Sequence, residues 1–257
     1  MDLEPELVDV ILRTKNSEEY LKKCLDSIVR EIPIRKMIIV DHGSTDNTLE
    51  IASQYDMTEI YVKPDLSLGE LTKLGFSMAK TEWVVVIDSD MILRSGWFKN
   101  ISTFKEEADA IEGCEVNHYR LESRPRCTDF IYGRFGQIMI KRKPVLSLDL
   151  DVPFAEDVAV SSYFKRKNLK WKKVPNYLAD HYPKFEGSTH RRTGTVFGVY
   201  VVHVPKKIQI QEGHLARQYN MFTTRQIITR TLLIPVNDAI RGFRRNFWFM
   251  LAYLKII

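Results

Sequence analysis

The feature that most constrains the fold is a series of four short apolar runs in the first part of the chain, spaced about 25 residues apart. They are residues 8–12, 36–40, 59–62 and 83–87. The segments between them carry apolar residues at helical spacing or residues that cap helices. Strands that are apolar on both faces and alternate with helices are typical of a parallel sheet covered by helices. We therefore predict an α/β fold with a mainly parallel central sheet.

Polar residues stand at the ends of three of these predicted strands. They are residues 13–16, then Asp41, and then Asp88 and Asp90 with Ser89 between them. In parallel sheets, ligands bind in the crevice beyond the carboxyl ends of the strands. We therefore expect these polar residues to converge on one binding site.

Asp88 and Asp90 directly follow the apolar run WVVVI, and two roles fit them. Acidic residues at such a place commonly cap the N-terminus of a following helix. Alternatively, the pair binds Mg²⁺ or Mn²⁺, which take oxygen ligands from one or two carboxylates and from substrate phosphates. Such a metal neutralises the charge that develops on a departing nucleoside diphosphate. For this pair alone, both roles stay open.

The pattern in the second part of the chain is less regular. It predicts three strands and one helix, at residues 109–116, 135–141, 169–174 and 156–167. A chain of 257 residues suits one large domain with an appendage, and the composition changes near residue 212. We therefore predict a domain at residues 1–212 and a C-terminal tail at residues 213–257.

The three cysteines, Cys24, Cys114 and Cys127, form no pattern that indicates a disulfide framework or a zinc site. We expect free thiols in a reducing compartment. The acidic N-terminus does not resemble a signal peptide, and no run of about 18 apolar residues predicts a transmembrane helix. These features favour a cytoplasmic protein.

The basic charge of the chain is concentrated in the C-terminal tail. Residues 215–257 hold seven Lys and Arg and one Asp, whereas residues 1–214 hold 31 basic and 32 acidic residues. This balance argues against a nucleic-acid surface on the main domain. Basic residues beside the Trp- and Phe-rich segment 241–257 are typical of a helix at an anionic membrane surface. The alternative is a terminal helix that packs on the domain or on a second subunit of a homo-oligomer.

Four segments together resemble a family 2 glycosyltransferase in their order and spacing, although each motif is weak alone. They read VDVILRTKNSEEYLKKCLDSI, MIIVDHGSTDNTLEIA, LGFSMAKTEWVVVIDSD and FAEDVAVSSYFKRKNLKWKKVP, and they span about residues 7–175. The resemblance implies the GT-A fold, with a Rossmann-like nucleotide-binding half at residues 1–92 and an acceptor-binding half at 93–212. It also implies inverting transfer from a nucleotide sugar with Mn²⁺ or Mg²⁺ as cofactor.

The resemblance places several residues at the nucleotide. Thr14 and Asn16 match the loop that contacts it, and Asp41 matches the aspartate that reads the base. A carboxylate suits that role because it accepts the N–H groups of uracil or guanine. Lys15 and His42 depart from the family pattern, which has an aromatic residue and a second aspartate there.

The resemblance also assigns roles around the metal. Asp90 matches the direct ligand, and Asp88, followed by Ser89, matches the residue that binds ribose or metal. His181 follows a predicted strand in a region from which many enzymes of this fold present a histidine to the metal. His190 is the competing candidate.

Further residues are matched to the sugar transfer itself. Asp157 matches the general base that deprotonates the acceptor, and Glu156 would orient it or help to hold the acceptor. The alternative for both is a pair that caps the helix. Lys73 stands near an Arg-Asn pair of the family and would supply charge to the diphosphate. Arg191 and Arg192 would close over the diphosphate as a lid, or else belong to a solvated loop.

These features predict an inverting glycosyltransferase that uses a nucleoside diphosphate sugar. The expected acceptor is a polyprenyl phosphate or a lipid-linked sugar at the cytoplasmic membrane face, and the alternative is a soluble or polysaccharide acceptor. A nucleotidyltransferase would need a Gly-rich phosphate loop after the first strand, where this chain has RTKNSEEY. A non-catalytic module that binds nucleotide sugars is the remaining alternative.

Overall fold

The four apolar runs form the first four strands of the sheet in the computed structural model, which describes residues 6–119, 122–127, 134–150 and 156–183. They are β1 (Val8–Thr14), β2 (Ile34–Asp41), β3 (Thr58–Val62) and β4 (Trp83–Asp88). All three pairings among them are parallel, in the order β3-β2-β1-β4. The helices between them are α1 (Glu18–Glu31), α2 (Thr48–Ser53) and α3 (Leu68–Met78). The alternation predicted from the sequence is confirmed for this half.

The second half turns the sheet into a mixed one. Its elements are β5 (Met91–Leu93), α4 (Trp97–Ser102), β6 (Ala110–Tyr119), β7 (Glu122–Arg126), β8 (Gln137–Lys141), α5 (Arg142–Leu146), α6 (Glu156–Arg166) and β9 (Trp171–His181). β8 is antiparallel to both β4 and β6, and β5 is antiparallel to β9. The prediction of a mainly parallel sheet is therefore wrong beyond β4. The physical reason is that an apolar strand can pair with a parallel or an antiparallel neighbour. Composition therefore does not specify the direction of the next strand in the sheet.

Strand β9 brings the last residues of the second half of the sheet next to β5, which follows the first half. It pairs in parallel with β6, where the register shifts at Gly113 and Cys114. Its last residue, His181, stands opposite Asn117 of β6 and Met91 of β5. The sequence pattern predicted this strand only as far as residue 174, because Pro175 and Asn176 follow and are unfavourable in strands. The register shift accommodates them, and the longer strand carries His181 to the sheet edge where β4 ends.

Helix α3 lies unusually close to β1, because a glycine faces the strand. A Cβ added at Gly75 would lie 2.7 Å from Cγ2 of Ile11, nearer than such atoms approach in folded proteins. The helix begins with a complete capping box, in which Ser67 and Glu70 each accept the backbone N–H of the other. This close packing brings Thr72, one turn before Gly75, to the end of β1.

The expectation of free cysteines is wrong for two of the three. Cys114 of β6 and Cys127, which follows β7, form a disulfide, whereas Cys24 is a buried free thiol. The pairing follows from the antiparallel register, since Glu115 stands opposite Arg126 and the flanking cysteines are thereby brought together. Sequence spacing alone did not reveal this neighbourhood.

The chain divides into two compact units, Met1–Lys184 and Phe185–Ile257. Every described residue belongs to the first unit, so the predicted boundary at residue 212 and the C-terminal tail lie outside the described residues. Within the described part of the chain, no helix is both long enough and apolar enough to cross a membrane.

Candidate active site

The loops after β1 and β2 are joined at Asp41. This aspartate is fully buried, and its Oδ2 accepts hydrogen bonds from the hydroxyls of Thr14 at 2.7 Å and Ser44 at 2.5 Å. Its Oδ1 accepts the backbone N–H of Ser44 at 2.7 Å. Gly43 adopts the left-handed conformation that the tight turn requires, with φ of 75°. Asp41 therefore organises the two loops, and base reading by this carboxylate stays a prediction.

Asn16 strengthens the same junction from the first loop. Its backbone N–H donates to the hydroxyl of Ser44 at 2.8 Å, and its Oδ1 accepts the backbone N–H of Thr45 at 2.8 Å. The residue has a positive φ of 48°, which asparagine tolerates better than most residues. Of the predicted nucleotide residues, Thr14, Asn16 and Asp41 thus lie together.

The two aspartates at the end of β4 and in the turn after it do not cap a helix. The chain continues from Asp90 into strand β5, and the next helix, α4, has Gly96 at its N-cap. The capping alternative is therefore wrong for Asp88 and Asp90. The hydroxyl of Ser89, between them, lies 2.8 Å from that of Ser17 at the start of α1. This contact fixes the turn at the sheet edge where the predicted nucleotide residues lie.

Asp90 faces His181 across the edge of the sheet. Nε2 of His181 lies 3.4 Å from Oδ1 of Asp90, and the backbone N–H of Tyr182 donates to the carbonyl oxygen of Asp90 at 2.9 Å. Nδ1 of His181 donates to Oδ1 of Asn117 at 2.7 Å and lies 3.6 Å from Oε1 of Glu115. The side-chain oxygen of Asn117 thereby fixes the ring so that Nε2 points towards Asp90.

Electrostatics at this corner favour a cation. Burial lowers the pKa of His181, but the neighbouring carboxylates of Asp90 and Glu115 raise it to about 10. Glu115 is itself buried, which raises its pKa, yet His181, Arg134 and Arg126 bring that pKa down to about 2. The carboxylate and imidazole of Asp90 and His181 are a donor set that suits Mn²⁺ or Mg²⁺. In the part of the chain that the structure describes, no three His, Cys, Asp or Glu side chains are gathered at metal-binding distance.

Asp88 is joined to the helix that carries Glu156 and Asp157. Nη2 of Arg13 donates to Oδ1 of Asp88 at 2.7 Å, and Nη1 donates to Oε1 of Glu156. Glu156 and Asp157 lie in the first turn of α6, where the helix dipole favours negative charge. Glu156 is buried, whereas Asp157 is partly exposed.

Asp157 also interacts electrostatically with Arg134. Burial lowers the pKa of Arg134, but the carboxylates of Glu115 and Glu112, with a smaller contribution from Asp157, raise it above its ordinary value. The predicted base thus stands in a region of alternating charge. Whether it also caps α6 depends on residues 151–155, which lie outside the described residues.

Of the other predicted residues, Lys73 alone belongs to the described part of the chain. Lys73 lies on α3, directly after Thr72, whose hydroxyl contacts Arg13 at 3.4 Å. The contact of Lys73 with a diphosphate stays a prediction. His190, Arg191 and Arg192 lie outside the described residues.

Sequence reasoning missed Glu115 and Asn117, and it placed Arg13 among the polar residues at the end of β1 without giving it a role. Arg13 offered a signal, because a charge at the buried end of an apolar strand is unusual unless it is paired. Glu115 and Asn117 are two residues apart on β6 and therefore point to the same side of the sheet. Their connection to His181 arises only when β9 pairs with β6, and no local pattern encodes that pairing.

Comparison with known proteins identifies the family. The model of the family described as glycosyl transferase family 2 matches residues 9–155. The glycosyltransferase GlyG of Streptococcus pneumoniae is 28% identical over 111 residues, which are 41% of this chain and 37% of GlyG. The chain thus matches little more than a third of that relative's length.

Two solved structures share the fold. TarS 1-349 of S. aureus in complex with UDP-GlcNAc has a TM-score of 0.61 and 15% identity, over 96% of this chain and 82% of TarS 1-349. Glucosyl-3-phosphoglycerate synthase of Mycobacterium tuberculosis, in complex with Mn²⁺, UDP and glucosyl-3-phosphoglycerate, has a TM-score of 0.55 and 18% identity, over 69% and 72% of the two chains. Because the family model covers more than half of the sequence and the fold agrees, this chain belongs to glycosyl transferase family 2.

Proposed function

We propose that the chain is a metal-dependent, inverting glycosyltransferase that takes a sugar from a nucleoside diphosphate sugar. The observation that carries the proposal is the meeting of Asp90 and His181 at the end of β4, beside the loops joined by Asp41. The complexes of the two structural neighbours with UDP-GlcNAc, and with UDP and Mn²⁺, support the same donor class and cofactor by analogy.

Asp90 and His181 would hold the metal in this proposal. The hydrogen bond from Nδ1 to Asn117 leaves Nε2 of neutral His181 as the ligand atom, which is the usual way in which proteins orient a metal-binding histidine. When bound, the metal supplies positive charge to the diphosphate that leaves. Asp88, whose Oδ1 is engaged by Arg13, would contact the ribose or a metal-bound water through its other oxygen.

Asp157 would take the proton from the acceptor hydroxyl. Glu156 is buried and engaged by Arg13, so Asp157 is the more accessible carboxylate of the pair. Attack by the acceptor from the side opposite the diphosphate inverts the anomeric carbon in one step, and a carboxylate beside the attacking hydroxyl accelerates it. An acceptor that is already an anion, such as a lipid phosphate, would need Asp157 only for positioning.

A lipid-linked acceptor, such as a polyprenyl phosphate, is the acceptor class that we propose. The supporting observation is the charge of residues 215–257, which would hold the protein on an anionic membrane at its cytoplasmic face. A soluble acceptor is the second candidate, because a structural neighbour was solved with glucosyl-3-phosphoglycerate. Sedimentation of the full chain with anionic liposomes, compared with a chain that ends at residue 214, separates the two. Equal sedimentation would argue against the membrane-bound acceptor.

Donor and metal are tested directly by thermal-shift measurements with UDP-, GDP- and dTDP-sugars, each with and without Mn²⁺. We expect one nucleotide class to raise the melting temperature, and more strongly with Mn²⁺. Asp90→Ala should abolish metal-dependent hydrolysis of that donor, because it removes the carboxylate ligand. Asp26→Ala is the matched control, since Asp26 is an exposed aspartate on α1 that pairs with Lys22. Full hydrolysis by the Asp90 variant would show that the metal assignment is wrong.

A further inference from the structure

Arg13 is a buried charge between two parts of the candidate site. It is the penultimate residue of β1, and its side chain is only 11% exposed. Its two terminal nitrogens reach different carboxylates: Nη2 donates to Asp88 of β4 at 2.7 Å, and Nη1 donates to Glu156 of α6. One guanidinium thus spans residues that are far apart in the sequence.

The surroundings of Arg13 fix the direction of its side chain. In the sheet, Arg13 stands directly beside Asp88 in the parallel register of β1 and β4. Its guanidinium carbon lies 5.8 Å from the centre of the Phe135 ring, and Nη1 lies 3.4 Å from the hydroxyl of Thr72 on α3. Contacts from a strand, a helix and an aromatic ring therefore restrain the side chain on three sides.

The chemistry of the bridge requires arginine. A guanidinium is a rigid plane that presents separate N–H donors to two carboxylates at once, whereas a lysine amine is a single point charge on a flexible stem. A lysine at position 13 would keep the charge but would lose the fixed distance between the two carboxylates. The buried Glu156 pairs with Arg13 at the first turn of α6, so it can orient Asp157 by tying the start of this helix to Arg13.

We propose that Arg13 is a positioning residue, which holds Asp88 on the donor side in fixed geometry relative to the Glu156–Asp157 pair on the acceptor side. This inference rests on the proposed function. Asp88 and Asp157 act on different substrates, and both must be placed correctly for transfer. A displacement of about 1 Å at such a site costs as much as a hundredfold in rate.

A second pair of an arginine with a buried aspartate, between β2 and β1, provides the control. At the opposite end of β1, Nη2 of Arg35 lies 2.7 Å from Oδ1 of the fully buried Asp9. This pair resembles the one at Arg13 in chemistry, but it lies at the amino end of the strand, away from the candidate site. Arg35→Lys therefore shows what weakening an arginine pair with a buried carboxylate does to folding alone.

The first test compares Arg13→Lys with Arg35→Lys in the full chain. The measurements are the melting temperature, the Kd for UDP in the presence of Mn²⁺, and kcat and KM for hydrolysis of UDP-GlcNAc and UDP-glucose. If the thermal-shift measurements show that another nucleotide class stabilises the wild type, the nucleoside diphosphate and nucleotide sugars of that class are used in place of UDP, UDP-GlcNAc and UDP-glucose. We expect Arg13→Lys to lower kcat about tenfold or more and to change KM less, because the loops at Asp41 are untouched. Arg35→Lys should leave kcat unchanged. A kcat of Arg13→Lys within about twofold of the wild type would overturn the proposal.

A second test separates positioning from stability. Arg13→Met alone leaves the carboxylate of Glu156 buried without its cation, which is strongly destabilising. Combining it with Glu156→Gln removes both charges and should recover most of the melting temperature, while kcat stays low because Asp88 is no longer held. Recovery of kcat together with stability would show that the pair is only structural. If the wild type itself binds and hydrolyses no donor, the proposed function fails; if it does both and these variants match it, only the role of Arg13 fails.

Discussion

Asn117 provides a test of the metal corner that leaves both candidate ligands in place. It is 3% exposed, and its side-chain oxygen accepts the Nδ1–H of His181 at 2.7 Å. Asn117→Leu keeps a similar volume but removes this acceptor. The imidazole then has Glu115, at 3.6 Å from Nδ1, as its remaining contact on that side, and its ring is free to turn away from Asp90.

The size of the effect follows from the bond that is lost. A buried donor left without its partner costs about 1–3 kcal/mol, which is roughly 5- to 150-fold in an equilibrium constant. Loss of the residue that orients a metal-binding histidine typically weakens metal affinity about 10- to 100-fold. Both arguments give a Kd for Mn²⁺ that is about tenfold or more above the wild-type value.

The assay is a Mn²⁺ titration in which the free ion is followed by electron paramagnetic resonance, with and without UDP. This measurement reports the metal directly and does not depend on an acceptor. Asn176→Ala is the control, since Asn176 is an exposed residue of β9 that hydrogen-bonds to Asn100. An unchanged Kd for Mn²⁺ in Asn117→Leu, with the fold intact by circular dichroism, would refute the assignment of His181 as an oriented ligand.

Two further predictions concern the fold that carries the site. Asp9→Asn should lower the free energy of unfolding by about 2–3 kcal/mol at pH 7, because the buried oxygen that accepts hydrogen bonds from Arg35 and from the backbone N–H groups of Lys80 and Thr81 then loses its negative charge. Burial raises the pKa of Asp9, but these partners bring it below 3.8, so its stabilisation is present above about pH 4 and is lost as the pH falls through the lowered pKa. Urea unfolding at pH 7 and below pH 4 should therefore show that acidification lowers the free energy of unfolding less in the variant than in the wild type. An equal decrease in both proteins would contradict this prediction. Gly75→Val should lower the melting temperature by several degrees, because a Cβ there would lie 2.7 Å from a side-chain carbon of Ile11. An unchanged melting temperature would show that α3 can shift away from β1 and make room for the added side chain without loss of stability.

The sequence predicted those parts of the fold whose signals are local. The strands at β1 to β4 were recognised because each is a short apolar run between helix-forming segments, and Asp41, Asp88 and Asp90 were recognised because they directly follow such runs. Strand β5 was missed because it has only three residues, and β7 because its sequence, ESRPR, has no apolar run of the kind that revealed β3 and β8. Helices α4 and α5, with six and five residues, are too short to show helical periodicity.

The parts of the site that the sequence did not predict depend on pairing between distant strands. His181 was proposed as a ligand from the resemblance, but its partners Asn117 and Glu115 follow from the register of β6 with β9, which includes two shifts. The bridge from Arg13 to Glu156 joins residues 143 positions apart. The apolar pattern of a strand constrains which face is buried, but it does not specify which distant strand lies alongside it.

The different partners of Asp88 and Asp90 give a physical reason for dividing the work between them. Asp88 is held by Arg13, whose guanidinium stays protonated and has no lone pair to offer, so this carboxylate always has a cation beside it, although that cation is shared with Glu156. Asp90 faces His181, whose Nε2 can lose its proton and then present a lone pair to a cation. A metal can therefore replace the proton between Asp90 and His181, but it cannot replace Arg13 beside Asp88. This difference supports the proposal that Asp90 binds the metal directly, while Asp88 is a positioned acceptor for the ribose or for a metal-bound water.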